Sequence, residues 1–232
     1  MHRFTRIYLL ALLSGPALAG CGSVHWAAAP QKFTFAQAQQ VQPLPPVGLI
    51  GLIEKGNQPR HSPELSAAAA EQLQAALSQQ QQPLKLTGSL PVAAAEQARL
   101  RREVLTTVQL LMRSKPQAGG TAYSVQPLPV LDSLSYGSEA RYVLATVRHG
   151  FTRTPGNYQG QVAKTLGIGL LTLGMAVPVS LKASAHLYAF VYDREEQRVV
   201  FFNHVGQERE PLKEAALQQQ LRTVFAPAAK LN

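Results

Sequence analysis

Val47-Gly48-Leu49-Ile50-Gly51-Leu52-Ile53 is a short, continuous apolar run rich in branched side chains. That is the pattern of a strand buried on both faces. A polar loop with Gly56, Asn57 and Pro59 follows, and Ser62-Pro63 then opens a segment of different period. Serine suits an N-cap, and proline suits the first helical position, where its missing N–H costs nothing. Leu65, Ala69, Leu73 and Ala76 recur at i, i+4, i+8 and i+11, one apolar stripe of a helix. The helix runs into the glutamines Gln79 to Gln82 and stops before Pro83. A buried strand followed by an amphipathic helix sets the architecture: a sheet with helices laid on it.

The same two periods continue toward the C-terminus. Leu84 to Thr87 reads as a short strand, and Pro91 opens a helix with Leu100, Val104, Val108 and Leu111 on one face. Gly119-Gly120 breaks the chain. Tyr123 to Val130 reads as extended, with Pro127 and Pro129 directing it to an edge. Arg141 to Val147 is a strand with Val143, Ala145 and Val147 on one face. Leu187 to Tyr192 is the strongest strand; Asp193 to Gln197 makes a polar turn, and Val199 to Asn203 returns as its hairpin partner. Pro211 opens a last helix, with Leu217, Leu221 and Val224 sharing a face. The expectation is an α+β or α/β domain with one mixed sheet of about five strands and helices packed on it.

Toward the N-terminus, Arg3 and Arg6 precede an apolar run from Ile7 to Leu13, and small residues end at Leu18-Ala19-Gly20-Cys21. This order marks a secretory signal. The run is too short for a spanning helix, which needs about 20 residues. Cys21 is the only cysteine, so no disulfide or cysteine-type zinc site is available to the exported chain. Residues 18–21 resemble the lipobox of bacterial lipoproteins. That resemblance implies cleavage after Gly20, a diacylglyceryl group on the Cys21 thiol and acylation of the new amine. The covalent lipid on Cys21 is then the only prosthetic group, with no other cofactor and no metal. The resemblance also implies an outer-membrane, periplasm-facing location, because Gly22 follows the cysteine where an inner-membrane protein of a diderm cell has aspartate. The expected organisation is a signal peptide over 1–20, a lipidated N-terminus and linker over 21–46, and a single domain over 47–232. The linker assignment rests on the Ala, Gln and Pro content of Ala27 to Pro46. Trp26 reads either as an interfacial or as a solvated residue.

Hydrophobic residues make up 46% of the chain, a content typical of a folded protein. The formal charge is +9, of which Arg3 and Arg6 leave with the signal. Nucleic acid does not fit an exported protein whose cations are scattered, with only Arg99, Arg101 and Arg102 close together. An anionic membrane surface, the acidic groups of the cell wall, or plain solubility accounts for the charge.

Leu166 to Leu181 carries no charge, is punctuated by Gly167, Gly169 and Gly174, and is bracketed by Lys164 and Lys182. Three readings stand for it. It is a core segment, a membrane contact, or an apolar surface that docks an envelope protein or a second copy of the chain. Leu166, Ile168, Leu170, Leu171, Leu173 and Met175 are the candidate contact residues. The polar stretch Thr152 to Gln161 reads as a flexible loop from which this insert hangs.

The chemistry-bearing residues form no recognisable catalytic set. None of His25, His61, His149, His186 and His204 has HExxH spacing, and each reads as an isolated structural residue. There is no G-x-S-x-G elbow, no P-loop, and Gly167-Ile168-Gly169 lacks the third glycine of a dinucleotide turn. Asp132 and Glu139, or Ser133 and Ser135 with His149, would act only if the fold brought them together. The reading is therefore of a protein that is not an enzyme.

The stretches Val47 to Ile53, Ser62 to Leu77, Ala140 to Val147 and Leu187 to Val200 resemble a group of envelope lipoproteins. The group comprises the curli-secretion pore lipoprotein, the lipoprotein activators of penicillin-binding proteins and the amino-terminal domain of the Tol translocation protein. Leu166 to Leu181 departs from the secretion pore, because it does not alternate like an amphipathic pore-forming strand. The run from Gly167 to Asp193 is also similar to uncharacterised lipoproteins of Bacteroidota-type bacteria. These resemblances imply a membrane-anchored, non-enzymatic interaction or assembly module of the cell envelope. The alternatives are a lipid-contacting accessory of an envelope transport or secretion system, and a cell-wall hydrolase.

Overall fold

Seven strands and five helices follow one another in a computed structural model, which describes residues 24–27, 33–35, 38, 40–80, 84–114, 128–134, 140–171 and 181–226. They are β1 (Val24–Ala27), β2 (Val41–Pro43), β3 (Val47–Ile53), β4 (Arg60–His61), α1 (Pro63–Gln79), α2 (Ala94–Arg113), α3 (Pro129–Leu134), β5 (Tyr142–Arg153), α4 (Pro155–Leu171), β6 (Ser184–Asp193), β7 (Arg198–Gln207) and α5 (Glu214–Val224). The strands form one mixed sheet in the order β1-β7-β6-β5-β3-β4, with β2 also on β5. β3 and β2 run parallel to β5, and the other pairs are antiparallel. The molecule is an α+β domain, as the alternation of periods indicates.

The first strand and helix form as read. Ser62 caps α1 by accepting the Leu65 N–H at 3.3 Å, with Pro63 in the first turn. Ala69, Leu73 and Ala76 are buried on one stripe. They pack with Leu77 and with Leu217 and Leu221 of α5 against Leu144, Leu187, Val191 and Val205 of the sheet. The opposite face is covered by α2 and α3. Leu100, Val104, Leu111 and Leu131 meet Val143, Ala145, Val147, Phe190 and Tyr192 there. Two apolar layers thus sandwich the sheet.

Four stretches differ from the sequence reading. Residues 21–46 are not linker throughout. Val41 and Leu44 are fully buried, β2 lies on β5, and the Leu44 N–H donates to the Leu144 carbonyl at 2.8 Å. β2 and β3 follow one another along the same strand, and the prolines fall where the ladder is interrupted. Phe33 and Phe35 join Phe201, Phe225 and Tyr142 in an edge-to-face aromatic cluster, which ties this stretch to the core. Of Leu84 to Thr87, only Leu86 bridges to Val41, so no strand forms. Pro129 and Val130 are helical, in α3. Thr152 to Gln161 is no loop: β5 runs through Arg153 and α4 begins at Pro155. Gly119-Gly120 lies outside the described residues.

Arg153 fixes α4 to the sheet. This buried guanidinium donates to the carbonyls of Leu181 (2.7 Å) and Gly56 (3.1 Å) and to the amide oxygens of Asn157 (2.7 Å) and Asn57 (3.0 Å). The Gly56 carbonyl also accepts from Asn157 Nδ2 at 3.1 Å and Gln161 Nε2 at 3.4 Å. One arginine therefore joins the β3–β4 loop, the first turn of α4 and the approach to β6.

Candidate functional site

Three histidines and a tyrosine meet on the sheet where β5, β6 and β7 run side by side. The register sets His149 opposite His186, His186 opposite Gly206, and Tyr188 opposite His204. Directly opposed residues share a face, so all four side chains lie on the α2 side. His186 Nδ1 and His204 Nε2 are 3.1 Å apart, and the two rings are stacked with centroids 5.3 Å apart. Tyr188 stacks on His204 at 4.2 Å, and His149 lies 5.9 Å from His186. Gly206 makes the pairing possible: a Cβ there would stand 2.7 Å from His186 Nδ1. His204 is buried and His149 is exposed, so the cluster leads from the core to the surface.

A hydrogen bond between two imidazoles needs one donor and one acceptor nitrogen, so it does not survive protonation of both rings. Burial lowers the proton affinity of His186, and charge on His149 lowers it further. His149 reaches the surface, yet one side of its ring lies against the sheet, and this partial desolvation lowers its pKa as well. In the unfolded chain these groups titrate near pH 6.5. Folded-state pKa values below that mean the unfolded state binds more protons once the pH drops under about 6.5. Stability is therefore complete above that pH and falls as the solution is acidified. The urea midpoint is expected to decrease from pH 7.5 to pH 5, and His186→Gln should flatten the slope. A midpoint independent of pH across that range contradicts the assignment.

The next residue along β5 carries the opposite feature on the opposite face. Arg148 is fully buried between the sheet and α1. Its one hydrogen bond is from Nη1 to Gln72 Oε1 at 3.4 Å, while Nε and Nη2 have no partner among the described residues. Burial pushes its pKa down to about 10, which leaves it a cation at neutral pH. Thr146 Oγ1, Gln207 Oε1 and Gln220 Oε1 are likewise buried without partners among the described residues. Gln220 Nε2 donates to the Ala185 carbonyl at 2.8 Å. This is a polar seam within the α5-side layer.

A surface cavity of about 290 Å³ opens beyond the end of β7, lined by Lys182, Ala183, Glu208, Arg209, Glu210, Lys213, Ala215 and Ala216. Glu210 is engaged by the Thr152 hydroxyl at 2.6 Å. Lys182, Arg209 and Lys213 are exposed, and none makes an ion pair among the described residues.

The residues singled out from sequence are distributed as follows. Gly20 and Cys21 lie outside the described residues, as do Leu173 and Met175. Leu166, Ile168, Leu170 and Leu171 form the last turns of α4. Asp132 is held by the Tyr192 hydroxyl at 3.3 Å, and burial and this carboxylate raise the phenol's pKa. Glu139 and Ser135 lie outside the described residues. Ser133 sits in α3 beside Asp132, at the Tyr192 end of the sheet, whereas His149 faces His186, six residues along β6. At about 3.3 Å per residue that is about 20 Å. The fold does not unite them. Among the described residues no group of three or more His, Cys, Asp or Glu is arranged to hold a metal ion, and no helix is long and apolar enough to cross a membrane. The histidine cluster was missed because each histidine was read alone.

These features define a layered α+β sheet domain with polar clusters at one end. No family model and no curated protein matches the chain. Among solved structures, the PelC dodecamer from Paraburkholderia phytofirmans is similar at 9% identity and a TM-score of 0.37, over 89% of this chain and 95% of that one. The LpoB C-terminal domain from Salmonella enterica is similar at 11% identity and a TM-score of 0.31, over 75% and 84%. The same domain from Escherichia coli gives 11% and 0.28, over 73% and 82%. Superpositions this loose transfer no function.

Proposed function

We propose that the chain is a lipoprotein of the cell envelope, anchored in the outer membrane through Cys21 and facing the periplasm, where it acts as a non-enzymatic interaction or assembly module. The observation that carries this reading is the order of basic residues, apolar run and Leu18-Ala19-Gly20-Cys21. Each buried methylene of an acyl chain contributes about 0.8 kcal/mol, and stable anchoring takes more than one chain, which a multiply acylated cysteine supplies. The non-enzymatic half is supported by where the described side chains go: Asp132 is engaged by Tyr192, and Ser133 is remote from His149. The partner is an envelope protein or further copies of the same chain. Leu166, Ile168, Leu170 and Leu171 at the end of α4 are the residues to test for docking, together with Leu173 and Met175.

Cys21→Ser is expected to abolish incorporation of radiolabelled palmitate and to stop cleavage after Gly20, which leaves an unprocessed, unacylated precursor. Undiminished label on the variant, or an unchanged mature mass, contradicts the reading.

A further inference from the structure

We propose that the end of the sheet where β7 finishes is the face turned to the bilayer, and that its cation-lined cavity meets the phosphate groups of anionic lipids. The proposal rests on the lipoprotein reading of Cys21. β1 runs antiparallel to β7, with Val24 opposite Gly206 and Ala27 opposite Asn203. The chain therefore enters the sheet at the end where β7 stops, at Gln207. Only Gly22 and Ser23 separate Cys21 from β1. Three residue steps span at most about 10 Å even when fully extended. A lipid on Cys21 thus holds this end of the domain against the membrane, with no long spacer between them.

The surface at that end fits a phosphate-bearing layer. Lys182 lies just before β6, and Arg209 and Lys213 lie between β7 and α5, so three cations surround a cavity of about 290 Å³. Of the two carboxylates in the lining, Glu210 is engaged by Thr152. A basic side chain near an anionic leaflet strengthens attachment roughly fivefold. The hairpin turn between β6 and β7 lies at the far end of the sheet. It bears Glu195 and Glu196, which pair with Arg141 and Arg198, so that end offers no surplus of cations to a phosphate layer. β6 has ten residues, which at about 3.3 Å each puts the two ends roughly 30 Å apart.

The single cysteine makes the test direct, because acylation removes the only native thiol. Wild-type protein and two variants, Glu214→Cys between the cavity-lining Lys213 and Ala215 and Glu195→Cys at the hairpin, are purified with lipid attached and treated with a thiol-reactive fluorophore. They are then reconstituted into phosphatidylglycerol-containing vesicles that carry a headgroup quencher. The label at position 214 should be quenched several-fold more than the label at 195. Lys182→Gln, Arg209→Gln and Lys213→Gln together should reduce that difference, as should high salt. Equal quenching at the two positions, stronger quenching at 195, or a difference that ignores both the triple variant and salt overturns the proposal. The anchor is read separately: wild-type protein that takes up fluorophore on Cys21 is unacylated there, and the lipoprotein reading itself then fails.

Discussion

Gly48→Ala is expected to prevent the protein from folding or to remove most of its stability. A Cβ at this position would stand 1.9 Å from the Ser66 carbonyl oxygen, 2.8 Å from the Ser66 carbonyl carbon and 3.2 Å from the Ala70 nitrogen. All three are backbone atoms of α1, so no side-chain rotation relieves the clash. α1 is also stitched to β3 at this level. The Ile50 N–H donates to Ser66 Oγ at 2.9 Å, and the Ser66 hydroxyl donates to the Ser62 carbonyl at 2.7 Å. From the other face, Arg101 Nη2 donates to the Gly48 carbonyl at 3.0 Å, which leaves the strand little freedom to retreat. Overpacking alone costs about 1–3 kcal/mol. Lifting α1 also exposes Leu73 and Leu77, each worth about 1.5–3 kcal/mol when buried. Against a total stability of about 5–15 kcal/mol, this is severe. Soluble yield and the urea midpoint measure it, and a midpoint within experimental error of wild type refutes the packing described.

Arg148→Met is expected to act in the opposite direction and stabilise the protein by about 1–4 kcal/mol. The guanidinium has no carboxylate partner among the hydrogen bonds and ion pairs of the described residues, and two of its nitrogens make no bond among them. Removing a buried charge that is poorly compensated relieves a desolvation penalty, while methionine keeps the volume and flexibility of the aliphatic stem. Arg148→Ala separates charge from packing, since it removes the charge but leaves a cavity that costs stability in its own right. Thermal melts of the three proteins should rank methionine above wild type. A methionine variant less stable than wild type would mean that the guanidinium is compensated beyond its contact with Gln72. If the methionine variant is more stable but loses partner binding, the buried charge is kept for function.

The reading from sequence succeeded where burial follows a local pattern. Val47 to Ile53, the α1 stripe and the hairpin around Asp193 are contiguous signals, and each forms where expected. It failed where composition masked apolar residues. Phe33, Phe35, Val41 and Leu44 sit among Gln and Pro, and their burial depends on distant residues such as Phe201 and Leu144. The start of α4 was legible. Thr154-Pro155 repeats the logic of Ser62-Pro63, and the Tyr158 N–H donates to the Thr154 carbonyl at 3.1 Å. Gly156 and Asn157 made the same stretch look like a turn.

The histidine cluster was harder to see for a specific reason. Asp193 pairs with Arg198, and counting back from that pair sets Tyr188 opposite Asn203. An irregularity between Val191 and Tyr192, whose partners are Phe201 and Val199, shifts the register by one residue. His204 then stands opposite Tyr188, and Asn203 turns to the other face, where its Nδ2 donates to the Val224 carbonyl of α5 at 2.8 Å. A one-residue slip exchanges the two faces of a strand. No propensity in the sequence marks the bulge.

The role proposed for this domain is to bind an envelope protein or further copies of the same chain. The most direct measurement is to crosslink the lipidated protein in its native membrane, extract it in mild detergent and determine by mass spectrometry what it carries. The expected result is a second envelope protein, or further copies of the chain, at fixed stoichiometry. The crosslinks should disappear when Leu170 and Leu171 are replaced by aspartate in a variant that still folds. Recovery of the protein as a lone monomer contradicts that role.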